Sequence, residues 1–424
     1  MITLGGTNAG SVYVFRYDGT SWVQEQAHRG GCGAFDAFGR SVSVSSDVIV
    51  VGAVAKDHDG ATNAGAAYVF RYDGASWVQQ QELIAPDAAA SDAFGISASA
   101  SGEVAVIGAY TDNHAGGTGR AGAAYVFRYD GTSWVQEQKL TAADAAAYDY
   151  FGTSVSVSGN VAVVGADDGE DAQGRRTGSA YVFRHDGTSW VQEQKLTASD
   201  GAAFDLFGES VSVDGKIVVV GSPLGDHGGG TDAGSAYVFR YDGTSWVQEQ
   251  KLTASDAAAD DKFGDAVSVS GNVAVVGAFF VDHAGSEDAG ATYVFDMPDA
   301  TWLSYGSGWP GTNGVPSFTA AGDPVLCTTV TLNLDNSLGT NTTAALFIGL
   351  AQSDQPTIYG GHLLLVPTTI FLLPLPGGGL ALPGSLPCDP ILCGVSVFLQ
   401  ALEVDAGAAK GISFTPGLQL VLGS

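Results

Sequence analysis

Positive charge is scarce in this chain: 17 Lys and Arg stand against 45 Asp and Glu in 424 residues, a formal net charge of −28. A surface so acidic repels phosphate backbones and anionic headgroups, which excludes nucleic acid and acidic membranes as partners. Cysteine is scarce too, with 4 residues. Cys32 stands alone, while Cys327, Cys388 and Cys393 permit one disulfide in three alternative pairings, which fits an oxidising compartment. The interval from Cys388 to Cys393 is not a zinc-type Cys-x-x-Cys. Long apolar runs are absent: the most hydrophobic stretch, 362–375, is too short and too interrupted by proline to cross a bilayer. No segment sustains a helical apolar period, and 88–90 and its counterparts are at most a turn or two.

What is abundant is glycine, 60 residues, and it recurs in a pattern. Phe38-Gly39, Phe94-Gly95, Phe151-Gly152, Phe207-Gly208 and Phe263-Gly264 follow one another at intervals of 56, 57, 56 and 56 residues. Each is followed by an apolar run ending in Gly-Ala or Gly-Ser, then by Tyr-Val-Phe and a Trp. Such a period signals units that bury their apolar faces only against one another. In the copy that begins at Phe151, residues 154–158 alternate Ser and Val, 161–164 are apolar, 179–184 carry Tyr181-Val182-Phe183, and 189–195 carry Trp190-Val191. Gly, Asn and Asp separate these runs, with Asp186-Gly187 an expected hairpin turn. Four short antiparallel strands per period predict a β-propeller. The small Ser/Val/Ala side chains of the Phe-Gly strand suit the crowded centre, with Phe as an inter-blade packing residue and Gly as a place for close approach or positive φ. The Trp strand ends in Gln, Glu and Lys, the usual protection of an exposed edge, and is expected outermost.

In this order of elements, over roughly residues 5–302, the chain resembles the FG-GAP repeats of integrin α chains and of many bacterial extracellular proteins. The resemblance implies a propeller. In integrin-type repeats a calcium loop of the Asp-x-Asp-x-Asp-Gly kind follows the Phe-Gly element. Here that connection is a tight turn, such as Ser101-Gly102-Glu103 or Asp214-Gly215-Lys216, so the likeness is to the short-turn bacterial subtype.

The Tyr-Val-Phe and Trp elements occur six times, at Tyr13 to Tyr293 and Trp22 to Trp302, but the Phe-Gly half occurs five. Five full blades and an N-terminal half blade are therefore expected in residues 1–302, within a complete propeller of six or seven blades. The first unit, lacking its inner strands, suggests that the chain is the downstream part of a longer one. On that reading the lack of a signal peptide at Met1 is weak evidence against secretion. The acidic, Gly-rich, lightly charged composition points to an extracellular or cell-surface location. Beyond Trp302 the repeat stops, and between Leu303 and Ser424 there are six acids and one base. Seven apolar runs there (325–334, 344–350, 362–366, 369–375, 395–404, 412–415 and 418–422), punctuated by Pro and Gly, predict a small β-sandwich in 303–424.

Two recurrent polar positions invite a chemical reading. Six residues after the Gly of Gly-Ala stand His58, His114, Asp171, His227 and His283, preceded by Asp57, Asn113, Glu170, Asp226 and Asp282. Neighbouring blades hold these positions too far apart to share a metal or form a dyad. Within single loops, Asp57 with Asp59, and Asp112, Asp168, Asp171, Asp226 and Asp282, offer oxygen ligands for Ca²⁺; the alternative is that they satisfy backbone groups in Gly-rich turns. The second position is the acid two residues before each Phe-Gly: Asp36, Asp92, Asp149, Asp205 and Asp261. A hydrogen bond to the backbone of the turn entering the inner strand is the expected role.

No nucleophile elbow, phosphate-binding Gly loop or metalloprotease helix is present. Residues 131–142, 187–198 and 243–254 are identical, so the blades offer like sites instead of one asymmetric pocket. The resulting expectation is a protein that is not an enzyme but a scaffold for adhesion or interaction, binding a protein or glycan surface through repeated weak contacts. A calcium-dependent or lectin-like module and a hydrolase or lyase are the alternatives.

Overall fold

The computed structural model describes residues 9–28, 33–113, 119–171, 174–282, 287–297, 301–324, 326, 328–387, 392 and 395–423. All four cysteines, His114 and His283 lie outside them. The chain divides into two compact units, Met1–Phe295 and Asp296–Ser424, and their described regular elements are strands.

In the first unit a two-stranded hairpin, Val12–Tyr17 with Trp22–His28, precedes four four-stranded antiparallel sheets and a final three-stranded one. Blade one comprises Phe38–Ser45, Val48–Ala53, Ala66–Tyr72 and Trp77–Leu83, in that spatial order. Blades two to four repeat it from Ala98–Ser101 to Trp134–Leu140, Val155–Ser158 to Trp190–Leu196, and Val211–Asp214 to Trp246–Leu252. Blade five has Phe263–Ser270, Val273–Ala278 and Ala291–Asp296. The Phe-Gly strands of successive blades lie against one another, as their small side chains predict.

Alternation along each strand builds the interfaces. Val48, Val50, Ala67, Val69 and Leu83 of blade one pack on Phe94, Ile107, Tyr125, Phe127 and Trp134 of blade two, and the same positions meet between blades two and three and between three and four. Phe94, Phe151, Phe207 and Phe263 have no exposed surface, and each buried Phe stabilises its interface by roughly 1.5–3 kcal/mol. The glycines do what side chains cannot. A Cβ at Gly52, Gly108, Gly165 or Gly221 would fall on the carbonyl oxygen of the glycine in the next Phe-Gly pair, which itself sits at φ between 90° and 100°.

Serine completes the inner interface. Ser41, Ser97, Ser154 and Ser210 donate to the carbonyls of Gly95, Gly152, Gly208 and Gly264 at 2.7–2.9 Å. Ser43, Ser99, Ser156 and Ser212 accept from the amides of Ala100, Val157, Val213 and Val269 at 3.0 Å. The Ser-Val alternation thus places hydrogen-bonding hydroxyls on one face and apolar groups on the other.

Two expectations are corrected here. Trp302 does not complete a fifth full blade: its strand, Thr301–Tyr305, pairs with Gly417–Val421 in the second unit, so blade five has three strands. For the same reason the first unit ends at Phe295, ahead of the expected boundary after Trp302. In the second unit, a sheet ordered Thr301–Tyr305, Gly417–Val421, Ser396–Val404, Thr342–Gly349, Thr369–Leu375 and a smaller one of Phe318–Ala321, Thr329–Leu334 and Leu380–Ser385 share one core that includes Phe318, Leu334, Leu346, Leu399 and Leu418.

Candidate functional site

The acid before each Phe-Gly is buried and structural. Asp36, Asp92, Asp149, Asp205 and Asp261 each accept the backbone N–H three residues earlier, at 2.5–2.7 Å. This closes a turn whose flanking residues, such as Ser91 at φ 69° and Ala93 at φ 58°, lie in the left-handed region. Burial raises the pKa of Asp92 and of Asp149 to about 6.

The long loops after Gly-Ala use their acids similarly. Asp57, Asp226 and Asp282 each accept the amide six residues on, at 2.9 Å. Asp171 accepts the Arg175 amide at 2.9 Å and pairs with its guanidinium. Asp168 pairs with Arg176 at 3.0 Å, and Asp59 is an exposed neighbour of His58 at 3.1 Å. Asp112 is buried against Tyr125 and Lys139. The structure therefore brings none of the candidate calcium ligands together across loops, and among the described residues no group of three His, Cys, Asp or Glu is gathered for a metal ion.

A charged cluster recurs in blades two to four, where the preceding inter-blade loop meets the outer strand. Lys139 bridges Asp87 and Asp112, Lys195 pairs with Asp144, and Lys251 pairs with Asp200, all at 2.6–2.9 Å. Tyr125 and Tyr237 donate to Asp87 and Asp200 at 2.9 Å. In blade five Tyr293 still donates to Asp256 at 2.8 Å. Among the described residues blade five has no fourth strand and no equivalent lysine, and an acidic cavity of about 600 Å³ there is lined by Asp256, Asp260, Lys262, Phe280, Asp282 and Asp288. One further acid pair is specific to a single interface: Asp167, after Gly165-Ala166, meets Glu209, after Phe207-Gly208. Burial, then the hydrogen bond and charge of Glu209, push Asp167 up to about 8.

The outer strands carry a device that their edge-like composition concealed. Gln26, Gln81, Gln138 and Gln194 each donate to the carbonyl and accept from the amide of the next blade's Trp, at 2.7–2.9 Å. The preceding Glu25, Gln80, Glu137 or Glu193 accepts from that Trp's indole N–H at 3.0–3.2 Å. Adjacent residues on a regular strand point to opposite faces; a bulge, seen where the register skips Glu137, turns both toward the next blade. The recurrence of Gln four residues after each Trp is the signal that could have revealed the clamp. The residue between clamp and turn faces outward instead: Val23, Val78, Val135, Val191 and Val247 are 49–50 % exposed. Each adjoins a turn in which Asp18, Asp73, Asp130, Asp186 or Asp242 accepts the amides two and three residues on.

Residues 31–70, 77–127, 134–183, 190–239 and 246–295 match the FG-GAP repeat, more than half of the chain, and the chain belongs to that family. Each match after the first begins at the Trp strand of one blade and ends at the Tyr-Val-Phe strand of the next, and the last ends at Phe295, where the first unit ends. No curated protein matches it. Among solved structures it is similar to the GH32 β-fructofuranosidase BmSUC1 of Bombyx mori, at 13% identity over 90% of this chain and 87% of that one, with a TM-score of 0.33. It is also similar to the β-propeller domain of the Trilobed protease of Pyrococcus furiosus (7% identity, 88% and 91%, TM-score 0.35) and to the acylaminoacyl peptidase of Pyrococcus horikoshii (8%, 69% and 48%, TM-score 0.32). Two of these are enzymes by name, and this corrects the expectation that the chain is not an enzyme: like blades and the lack of a familiar motif do not exclude catalysis. Likenesses this distant bring no activity to the chain.

Proposed function

We propose that the chain is an extracellular or cell-surface interaction scaffold whose blades present the same outward surface several times to a protein or glycan partner. The observation that carries this reading is the five-fold recurrence of a half-exposed valine beside an Asp-capped turn, with exposures that agree within one per cent. A ligand that repeats at a similar spacing engages several such positions at once, and weak contacts combine through effective concentration. The acidic, lightly charged surface favours neutral or basic partners over anionic ones.

The test is binding of the fluorescently labelled intact chain to glycan and extracellular-protein arrays, followed by Val78→Arg, Val135→Arg, Val191→Arg and Val247→Arg singly and together on the best-bound feature. Each single substitution is expected to weaken retention a few-fold and all four to abolish it. One substitution that abolishes binding while the other three are silent would mean a single asymmetric site, and silence of all four would place binding elsewhere. Chelator in the same assay reports whether the long-loop acids act through calcium.

A further inference from the structure

One surface in the middle of the blade array departs from its repetition. The residue immediately before each buried acid, Phe35, Ser91, Tyr148, Phe204 or Asp260, sits at a φ of 69–74°. A bulky side chain in that region is a steric outlier, and such outliers gather at ligand-binding sites. The turn itself asks for no ring, since Ser91 and Asp260 take the same φ. Nor does packing, because Tyr148 is 47% and Phe204 63% exposed.

Tyr148 and Phe204 lie in the turns that enter adjacent blades, three and four. Arg176 stands between them: its carbonyl accepts the Phe204 amide at 2.7 Å, and its guanidinium lies 6.0 Å over the Tyr148 ring. The same guanidinium donates to the Ala147 carbonyl at 3.4 Å and pairs with Asp168 at 3.0 Å. Tyr150, where blades one and two have Ala37 and Ala93, adds a ring 6.4 Å from that of Tyr148. It also meets Tyr110 at 5.7 Å, at a position where blade one has Val54.

We infer that Tyr148, Phe204 and Arg176 form a binding site for a neutral oligosaccharide. A pyranose offers apolar C–H faces that stack on rings and hydroxyls at its rim that take hydrogen bonds; exposed rings beside a guanidinium and a carboxylate meet both needs. The Arg176–Asp168 pair keeps the surface between the rings polar, whereas a protein hot spot gathers its anchors in one desolvated pocket. The net charge of −28 disfavours uronates and sulfated sugars. Rings in successive blades match a chain of several sugar units. Because backbone hydrogen bonds already hold them, at Gly119 for Tyr148 and at Arg176 for Phe204, little freedom is lost on binding. The site is single and does not rest on the outward valines that repeat from blade to blade.

Isothermal titration of the intact chain with cellohexaose, mannohexaose, xylohexaose and maltohexaose, each up to about 1 mM, and with hexagalacturonate tests this. A neutral hexamer is expected to bind and hexagalacturonate is not. Tyr148→Gly and Phe204→Gly place glycine where φ favours it, so each is expected to weaken that binding about tenfold or more while the thermal midpoint holds or rises. The variant carrying Val78→Arg, Val135→Arg, Val191→Arg and Val247→Arg is expected to bind the hexamer as the wild type does, so this site and the repeated valines fail or stand separately. Absence of binding by every neutral hexamer would overturn the inference, as would binding that both glycine variants keep. Thermal midpoints that fall in both variants with affinity unchanged would make the rings structural, and loss of binding in the valine variant alone would move the sugar to the valines; either result overturns it equally.

Discussion

At the scale of single residues, the acids divide by environment more than by sequence. Asp18, Asp73, Asp130, Asp186 and Asp242 all sit in exposed turns, and hydrogen bonds from neighbouring hydroxyls and amides hold their pKa values low. Asp92, Asp149 and Asp167 are raised, chiefly by burial. A carboxyl raised in the native state binds its proton more tightly there than when unfolded, so its stabilisation is complete at low pH and is lost as pH rises through the folded value. For Asp167 the window runs from about 4, its unfolded value, to about 8. Asp167→Asn removes that loss, so its thermal midpoint is expected to match the wild type near pH 4 and to exceed it increasingly up to pH 8. A difference that stays constant across this range would show that burial does not raise the Asp167 carboxyl. Neither partner was singled out by the sequence, because the pair occurs at one interface only and repetition was the signal that located the two recurrent acid positions.

Among the strands, much was legible. The Phe-Gly period gave the units, and the Ser-Val alternation placed the inner strand, because hydroxyls and methyls on opposite faces match what successive blades need from each other. The outer clamp was not legible, since strict alternation sends Glu137 and Gln138 to opposite faces and only the bulge brings them together. Trp302 misled for a related reason: local sequence makes it a sixth Trp strand, but its partner, Gly417–Val421, is more than a hundred residues away. The recurrent Asp-His loop position was visible as a pattern, while its role in closing the loop depends on the amide six residues on. Two outcomes follow from the interfaces. Gly108→Ala sets a methyl against the Gly152 carbonyl and the Ser97 hydroxyl and is expected to destabilise by about 3 kcal/mol in urea unfolding, the upper range for overpacking; a loss below about 0.5 kcal/mol, the range of a neutral surface change, would mean that the blades do not approach so closely. Hydrogen exchange should show the strands of blades two and three, covered on both sides, as the most protected and Val12–Tyr17 as the least, since local opening follows buried contact. Equal protection throughout would contradict the stacking described.

For the molecule as a whole, repetition is both the structural principle and the functional proposal. Interfaces of one design stack the blades, and the outward positions that the design leaves free repeat with it. Function by repetition has a physical signature that a single pocket lacks. When the spacing between ligands exceeds the span of the blades, the second contact is no longer intramolecular and the gain from effective concentration vanishes. The most direct measurement is retention of the intact chain on a surface coated with its best array partner over a thousand-fold range of coating density. Dissociation is expected to slow steeply as density rises, and a four-valine variant should dissociate rapidly at every density. A dissociation rate independent of density, equal to that of the complex in solution, would contradict the account.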